Sequence, residues 1–354
     1  NLNKCFGVYV APEPGGRTKT FPIFLDLFFK SILASNVIKN SLATLRLDAI
    51  QTMYPNLLEE LESLDEETIS NGLNDAKWMQ DKGIDINAVQ ESIFRNRHLQ
   101  DLGPDFPLFV GRYGLLKPFV TQKDFEEHYT HNLRKSSEKL SFVFTELVRF
   151  FQAAHFNGAF ILVDDFERIP DFQSARQKRD FALELRACLF DGLYLNAKIG
   201  FYNVLLVLHA GVPRLIADAW AQSGMENRAP ISPQTASKHV IPFEKLNQEH
   251  ALLLLKKYLS EYRIDSVRSN PFFPFTEGAI GKIGELSEYN AAKILKMAYD
   301  LLDKSSDMPE EQQVIIDEQF VTDNRGTGDL PGRSVPSIGD AESTDLLKKA
   351  DNKD

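Results

Sequence analysis

The sequence predicts an α/β fold, in which helices flank a mostly parallel sheet, and three observations support this. Residues 159–163 are all apolar and end abruptly at Asp164 and Asp165, which is typical of a short strand buried on both faces. Similar apolar segments at 6–10 and 203–209 are separated from it by helical patterns. Strands that alternate with helices imply crossover connections, and therefore parallel pairing. We expect the strands at 160–163 and 204–208 to be adjacent and central.

Composition narrows the class of protein. The chain has 354 residues, enough for one large domain or two ordinary ones. Its net charge of −10 argues against a broadly basic surface, so contact with DNA would be local or supplied by a partner. The two cysteines, Cys5 and Cys188, indicate a reducing, cytoplasmic compartment without a disulfide framework. No apolar run approaches the roughly 20 residues of a membrane span, and no membrane partner is expected.

The N-terminal half begins with a strand and then becomes helical. A loop rich in Pro and Gly at 11–16 follows the first predicted strand and leads into a helix from residue 22 to about 36. Residues 37–155 are predicted to be mainly helical, as an insertion followed by the helices that precede the Asp-Asp strand. After that strand come a helix at 174–190, the strand at 203–209 and a short third strand at 239–243.

The C-terminal part is predicted to be a small helical domain. Helices are expected at 248–262, 277–285 and 289–302, with Asn247 and Thr276 as N-caps of the first two. From about residue 304 the pattern fades, and residues 324–354 contain almost no core-forming side chains. Five segments are predicted. The start of the core at 1–36 is followed by the insertion and the helices before the Asp-Asp strand at 37–155, and by the rest of the core at 156–245. The helical domain at 246–303 and an acidic, disordered tail at 304–354 complete the chain.

The strongest chemical signal is the pair of acids after the strand at 159–163. Acids at the carboxyl end of a parallel strand lie where open α/β sheets bind ligands. In P-loop ATPases an acid at this place holds Mg²⁺, and a neighbouring group positions the attacking water. The plainer interpretation is a buried strand followed by an acidic turn.

The order of these features resembles a P-loop ATPase of the AAA+ and STAND superfamily, in its bacterial origin-initiator-like or KAP-like branch. Residues 161–168 are similar to the hhhDDxDR form of Walker B, with Glu167 in place of the third acid. The strand that ends at His209 stands where a sensor 1 strand is expected. Residues 239–262 and 275–302 resemble the segments that lead into and form a helical lid. The fold implied is a P-loop NTPase-like sheet with a helical insertion and a small C-terminal lid.

The resemblance implies ATP and Mg²⁺ as cofactors and assigns roles by position. Asp164 would be the acid on the Mg²⁺ side, and Asp165 would position the attacking water, with Glu167 as its rival. His209 would take the sensor 1 place and contact the γ-phosphate or the water. A core histidine at the end of a strand is an equal alternative for His209.

Basic residues complete the implied site. Lys293 stands where the family often has a sensor 2 arginine, although lysine lacks the bidentate fork of arginine. A solvated helix residue is the alternative for Lys293. Three arginines flank the sensor-like strand and are candidates for an arginine that acts in trans between subunits of a homo-oligomer, namely Arg186, Arg214 and Arg228. Arg214 and Lys293 are the two predicted nucleotide-binding residues. An ordinary surface arginine is the alternative for each of the three.

The phosphate-binding loop Gly-x-x-x-x-Gly-Lys-Ser/Thr has no match in the chain. The nearest segment, 11–18, has Ala11 in place of the first Gly and Arg17 in place of Lys. Two of its residues are prolines, which have no N–H to donate to phosphate, and the acid Glu13 would face the phosphates. We favour another interpretation, in which 6–10 is the second strand of an ATPase sheet and the Walker A strand lies upstream of residue 1. The absence of an initiator Met agrees with this.

Three functions remain open at this point. The first is a nucleotide-driven switch or motor that works beside DNA, as in phage-defence, transposition or replication-initiation systems. The second is a scaffold that keeps the ATPase fold for protein interactions and does not hydrolyse ATP. The third, ranked last, is a metal-dependent hydrolase of another fold that uses Asp164, Asp165 and His209, which fit hard-metal chemistry only loosely.

Overall fold

The structure is a computed structural model, and it divides into two compact units, Asn1–Ile241 and Pro242–Asp354, which are described separately. The residues that it describes are 4–57, 60–61, 63–111, 114–208, 212–231, 240–241, 246–262, 270–308 and 315–324. Within these ranges the fold is α/β, with a parallel sheet flanked by many helices. This confirms the predicted class at the level of a parallel α/β sheet.

The sheet of the N-terminal unit has three parallel strands. The described strands are, in chain order, β1 (Cys5–Val10), β2 (Phe109–Val110), β3 (Leu115–Leu116), β4 (Gly158–Val163) and β5 (Tyr202–Leu206). β4 lies between β1 and β5 and pairs in parallel with both, whereas β2 and β3 form a small antiparallel hairpin. Tyr9, Leu162 and Leu205 are level with one another across the sheet. The predicted adjacency of the two apolar strands is confirmed, and β4 is central as predicted. β5 was also predicted to be central, but it is the outer strand of the sheet within the described residues.

Helices make up most of the rest of this unit. In chain order they are α1 (Phe21–Ala34), α2 (Val37–Met53), α3 (Glu66–Leu73), α4 (Ala76–Asp81), α5 (Ile86–Phe94), α6 (Gln122–Glu127), α7 (Ser136–Ser141), α8 (Leu147–Ala153), α9 (Ala175–Leu189), α10 (Leu195–Ile199) and α11 (Val212–Gln222). Single π-helical stretches, His128–Asn132 and Phe142–Glu146, extend α6 and join α7 to α8.

Local sequence accounts for the helices next to the sheet. α1 has Pro22 in its first turn, where a missing N–H costs nothing, and it buries Phe24, Phe28 and Ile32 on one side. α9 begins with a capping box, in which Ser174 and Gln177 exchange side-chain to backbone hydrogen bonds. The predicted helices at 22–36 and 174–190 are thereby confirmed to within a few residues.

The region at 37–155, predicted as an insertion followed by the helices that precede the Asp-Asp strand, shares its hydrophobic core with the sheet. Phe6 of β1 packs edge-on against Phe151 of α8, with ring centroids 4.9 Å apart, and against Phe156 at 5.0 Å. The core also encloses Arg46 of α2, whose side chain is 1% exposed. Its guanidinium donates to the carbonyl of Leu73 at 2.9 Å. The helical region is therefore a layer of the N-terminal unit.

The two faces of the sheet are covered unequally. On one face Val8, Ile161 and Val163 are at most 2% exposed. On the opposite face, the open face, four large apolar side chains are exposed by 58, 51, 37 and 42%, namely Tyr9, Phe160, Leu162 and Leu205. The order of the strands in space repeats their order in the chain, so right-handed crossovers place all the connecting helices on one face.

The C-terminal unit is a small helical domain with its own core. Its described helices are α12 (Gln248–Tyr262), α13 (Glu277–Leu286), α14 (Ala291–Ser306) and α15 (Glu318–Asn324). The predicted caps are confirmed, because Asn247 accepts from the backbone of His250 at 2.9 Å and Thr276 accepts from that of Ala279 at 3.1 Å.

The structure differs from the predicted tail in one stretch. Ile316 and Val321 are fully buried in the C-terminal core, and α15 lies inside the range predicted to be disordered. A helix of seven residues, about two turns, is too short to give a clear periodic pattern. Of the predicted strand at 239–243, only Val240 and Ile241 are among the described residues, and both are exposed.

No single described helix is long and apolar enough to cross a membrane. The pair α1 and α2, bent by 50°, passes that test together by length and composition alone. Both helices bury apolar side chains in the core of the N-terminal unit, as core helices do.

Candidate functional site

The three parallel strands end at a common edge, where the predicted acids lie. The backbone N–H of Asp164 donates to the carbonyl of Val10 at 2.9 Å, and that of Val207 donates to the carbonyl of Val163 at 2.9 Å. The loop after β1, the turn after β4 and the end of β5 therefore meet at the carboxyl edge. This is the part of an open parallel sheet where ligands bind.

The carboxylate of Asp164 is oriented by two hydrogen bonds. The Tyr9 hydroxyl donates to Oδ2 at 2.6 Å, and the backbone N–H of Asp165 donates to Oδ1 at 3.0 Å. An ionised carboxylate has about four acceptor positions, so these bonds leave capacity on both oxygens. Asp164 is half-buried, and its position is fixed from two sides.

Tyr9 serves as the donor that fixes Asp164. Its hydrogen bond to Asp164 raises the pKa of the phenol above its ordinary value, and the negative charges of Asp164 and Asp165 act in the same direction. The hydroxyl keeps its proton at neutral pH, as any tyrosine does, and donates it to the carboxylate.

Asp165 is used in the turn itself. Its backbone is left-handed, with φ of 47°, a conformation that Asp adopts more readily than most residues. Its carboxylate forms an ion pair with Arg168, and Arg168 Nη1 donates to the carbonyl of Pro12 at 3.2 Å. Asp165 and Arg168 thus connect the turn after β4 to the loop after β1.

Glu167 is the third acid of this edge. It lies in the short 3₁₀ turn Phe166–Arg168 and is half-buried. Within the described part of the chain no hydrogen bond or ion pair of its carboxylate is found. Of the three acids, it is therefore the one whose carboxylate is least committed to local structure.

The loop at 11–18, the nearest match to a phosphate loop, is a packed turn. Glu13 donates its backbone N–H to Thr18 Oγ1 at 2.9 Å, and Thr18 is buried. Gly16 has φ of +74°, and a Cβ there would lie 2.9 Å from that of Phe172. The exposed side chain of Arg17 lies 3.8 Å from Glu13. These contacts use the loop internally and do not resemble a cradle of free N–H groups.

For three other predicted residues the structure gives no placement relative to this cluster. His209 lies outside the described residues. The backbone of Arg214 is in α11, and its side chain lies outside the description. Lys293 belongs to the C-terminal unit, where its Nζ is 3.6 Å from Glu288.

The two other candidate arginines have ordinary surroundings. Arg186 pairs with Asp191 at 2.9 Å and donates to the carbonyl of Ser223, which are structural contacts at the end of α9. Arg228 is an exposed residue.

Two residues of the edge, Tyr9 and Arg168, received no role from the sequence. Arg168 stood inside the quoted Walker B-like segment without an assignment. The predicted parallel pairing could have indicated Tyr9. It is the next-to-last residue of β1, and in a parallel pair whose strands end together it lies near the end of β4, where Asp164 follows.

The side chains fit a magnesium ion only in part. Among the described residues no group of three or more His, Cys, Asp or Glu side chains could hold a metal ion. Magnesium in nucleotide sites, however, is bound by one or two carboxylates together with phosphate oxygens and water. Asp164 suits that arrangement, whereas the described residues contain no phosphate cradle.

Comparison with known proteins yields no match, whether with family models, with curated proteins or with solved structures. The resemblance to AAA+ and STAND ATPases consequently rests on the residues and sheet described above.

Proposed function

We propose that the carboxyl edge of the sheet binds ATP with Mg²⁺, and that the protein is a nucleotide switch or motor of the AAA+ and STAND kind. The observation that carries this is Asp164, an acid that directly follows the central strand of a parallel sheet and is held by Tyr9 and by its neighbour's backbone. A carboxylate oriented at this edge suits a metal–phosphate ligand better than it suits a plain surface turn.

The acids at this edge would then have different roles. Asp164 is on the metal side, and bound Mg²⁺ would offset the charge of the phosphates. For positioning water, Glu167 is a stronger candidate than Asp165, because Asp165 is paired with Arg168. His209 near the γ-phosphate and Arg214 as a nucleotide contact remain parts of the proposal, and Lys293 stays a prediction from the resemblance alone.

The phosphate cradle is assigned to a segment upstream of residue 1. The loop at 11–18 is a poor substitute, since Glu13 N–H and Thr18 are bonded to each other and Glu13 is an acid. Under this proposal the chain works in the cytoplasm as a homo-oligomer or with a partner protein. DNA is reached through that partner, because the net charge of −10 does not favour direct binding, and phage defence is one setting.

The packed loop at 11–18 also favours a second candidate function. A non-hydrolysing scaffold would keep the ATPase fold for protein–protein interaction and would need no cradle. The oriented carboxylate of Asp164 is then an ordinary turn feature.

Calorimetry distinguishes the two functions. A non-hydrolysable ATP analogue with Mg²⁺ is titrated into this chain and into the protein extended upstream through its native gene. We expect Mg²⁺-dependent binding by the extended protein, and a loss of at least tenfold in affinity for Asp164→Ala. Asp171→Ala is the matched control, since it removes an exposed acid seven positions further on.

Each outcome has a clear meaning. If Asp171→Ala weakens binding as much as Asp164→Ala, the effect is one of general charge and the site is elsewhere. If the extended protein does not bind the analogue at all, the scaffold replaces the ATPase as the proposed function.

A further inference from the structure

We propose that residues 343–350, near the C-terminal end of this sequence, dock as a short helix in an apolar groove of the C-terminal unit. The groove lies between α12 and α14 and has a volume of about 740 Å³. The inference goes beyond the proposed function, because it concerns a surface of the C-terminal unit alone and involves neither nucleotide nor DNA.

Two helices line the groove with apolar stripes of equal length. α12 contributes the stripe from Leu255 to Tyr262 and α14 the stripe from Leu295 to Leu302, in each case at positions i, i+3, i+4 and i+7. Each stripe is about 10 Å long, which is two turns of helix. No charged side chain is among the described residues that line the groove. Its length and composition therefore suit two turns of an amphipathic helix laid along it.

Three tyrosines form the rim of the groove and leave it open to solvent. Tyr258, Tyr262 and Tyr299 are exposed by 43, 77 and 68%, whereas Leu255 and Phe275, which form its base, are at most 3% exposed. A tyrosine presents a large apolar ring together with a hydroxyl that can stay in water, which is why tyrosine is enriched where protein surfaces meet. The rim is therefore suited to contact with a docked segment.

The last described stretch of the chain runs beside this groove. The backbone N–H of Ile316 donates to the carbonyl of Pro274, a groove residue, at 2.9 Å. At the end of α15, Lys304 Nζ donates to the carbonyl of Asn324 at 2.6 Å. Lys304 lies two positions beyond Leu302, the last groove residue of α14. Residue 325 and those that follow it therefore start within about one helical turn of the groove.

One stretch of residues 325–354 has the sequence of a helix with an apolar side. Glycine and proline recur up to Gly339 and are absent from 340–354. Leu346 and Leu347 are the only adjacent pair of large apolar residues in this part of the sequence, and Ala350 shares their side of a helix. Ser343 is a suitable N-cap, and the two lysines that follow Leu347 suit the last helical turn.

The tether between Asn324 and Ser343 favours the chain's own segment over a second copy. A random coil of that length spans about 25 Å, more than twice the length of the groove. A segment tethered in this way is presented to the groove at an effective concentration of about 1 mM. At micromolar protein concentration a second copy of the chain would need a much higher affinity to take its place.

Footprinting of the rim tyrosines in the full chain tests the docking. Hydroxyl radicals modify exposed rings, and mass spectrometry gives the rate at Tyr262 and Tyr299, with the exposed Tyr9 of the N-terminal unit as the reference. We expect the double variant Leu346→Glu/Leu347→Glu to raise both rates at least threefold relative to Tyr9, because the segment no longer covers the rim. Rates that equal those of the parent chain overturn the inference.

A matched variant of the same tail controls for added charge. Val335→Glu/Ile338→Glu places the same two carboxylates on two other large apolar residues of 325–354 and should leave both tyrosine rates unchanged. An equal rise in this control would show a general effect of charge and would overturn the docking of 343–350. Protection in the parent chain that grows with protein concentration identifies a second copy as the occupant and also overturns it.

A second pair of variants identifies the groove from its own side. Tyr299→Asp, at a 68% exposed position of the rim, should speed hydrogen exchange of the amides at 346–350 at least fivefold. Leu253→Asp, at a 56% exposed position of α12 that does not line the groove, should not. Circular dichroism should show unchanged folding of both variants. Exchange at 346–350 that already matches a free peptide in the parent chain, or that changes equally in both variants, contradicts docking in this groove.

The outcome is separable from that of the proposed function, because both measurements are made without nucleotide. Protection of the rim tyrosines without binding of the ATP analogue keeps the docking and removes the ATPase. Binding of the analogue with the rim unprotected keeps the ATPase and removes the docking.

Discussion

The two faces of the N-terminal sheet are built by alternate residues of the same three strands, yet they differ in their surroundings. Ile161 and Val163 are buried under helices, while Phe160 and Leu162, their neighbours in β4, are exposed. A strand that meets water on one face normally alternates apolar and polar residues. β4 does not alternate, which indicates that its sequence is adapted to cover on both faces.

The largest expected effect tests this difference directly. Ile161→Asp places a carboxylate among buried side chains and should lower the free energy of unfolding by about 4 kcal/mol or more. Leu162→Asp, one position along on the open face, should change it by about 1 kcal/mol or less. Urea denaturation of both variants of this chain measures the contrast. Equal losses would mean that the open face is as closely packed as the covered one.

Arg46 shows how far the covered side depends on satisfied polar groups. Its guanidinium donates to the carbonyls of Leu73 and Val120 and to Asn74 Oδ1, and lies 4.2 Å from the centre of the Phe119 ring. Burial lowers the pKa of Arg46 to about 10, so it remains charged at neutral pH.

Substitution of Arg46 should therefore have the second largest effect. Arg46→Met leaves buried acceptors without a donor and should cost about 3 kcal/mol. Arg46→Lys should recover only part of this, because an ammonium cannot reproduce the planar fork. Chemical denaturation gives both values, and full rescue by Lys would show that charge alone is what matters there.

A carboxyl on the covered side should give a smaller, pH-dependent effect. Burial raises the pKa of Glu146 from 4.5 to about 6, and the charge of Asp105 adds to this. Below about pH 4.5 the group is protonated in both states. Between there and about pH 6 the unfolded chain ionises first, so folding loses stability as pH rises, by about 2 kcal/mol in all.

Glu146→Gln should remove that loss. The variant should be more stable than the parent at pH 7.5 and equal to it near pH 4, as measured by urea denaturation at each pH. Glu127→Gln, at an exposed position in a salt bridge with Lys123, is the control. An advantage for Glu146→Gln that is the same at both pH values would contradict the shifted pKa.

The sequence was sufficient for the elements with strong patterns. The strands around 6–10 and 159–163 and the helices at 248–262 and 277–285 carry continuous apolar runs, caps or periodic stripes, and the structure has them. The one-sided cover was not predicted, because it depends on the order of strands in space, which a pattern within a strand does not encode.

Only the part of the candidate site whose residues are close together in sequence could be predicted. Three acids of the site lie in one short segment and could therefore be predicted from a sequence motif, namely Asp164, Asp165 and Glu167. Tyr9 lies 155 residues from Asp164, and only the register of β1 against β4 shows that they meet. The pairing of Asp165 with Arg168, which favours Glu167 as the water-positioning acid, depends on a left-handed turn that no pattern indicated.

Tyr9→Phe should have the smallest effect on folding. It keeps the ring on the open face and removes only the hydroxyl that donates to Asp164. The ring is exposed, so loss of the hydroxyl should change the free energy of unfolding by about 0.5 kcal/mol or less. The same change frees Asp164 Oδ2 from its donor. In the upstream-extended protein the affinity for Mg²⁺ with the ATP analogue should therefore fall severalfold, and Tyr262→Phe, an exposed tyrosine of the C-terminal unit, should leave it unchanged. An unaltered affinity with Tyr9→Phe would mean that Asp164 needs no positioning by the Tyr9 hydroxyl.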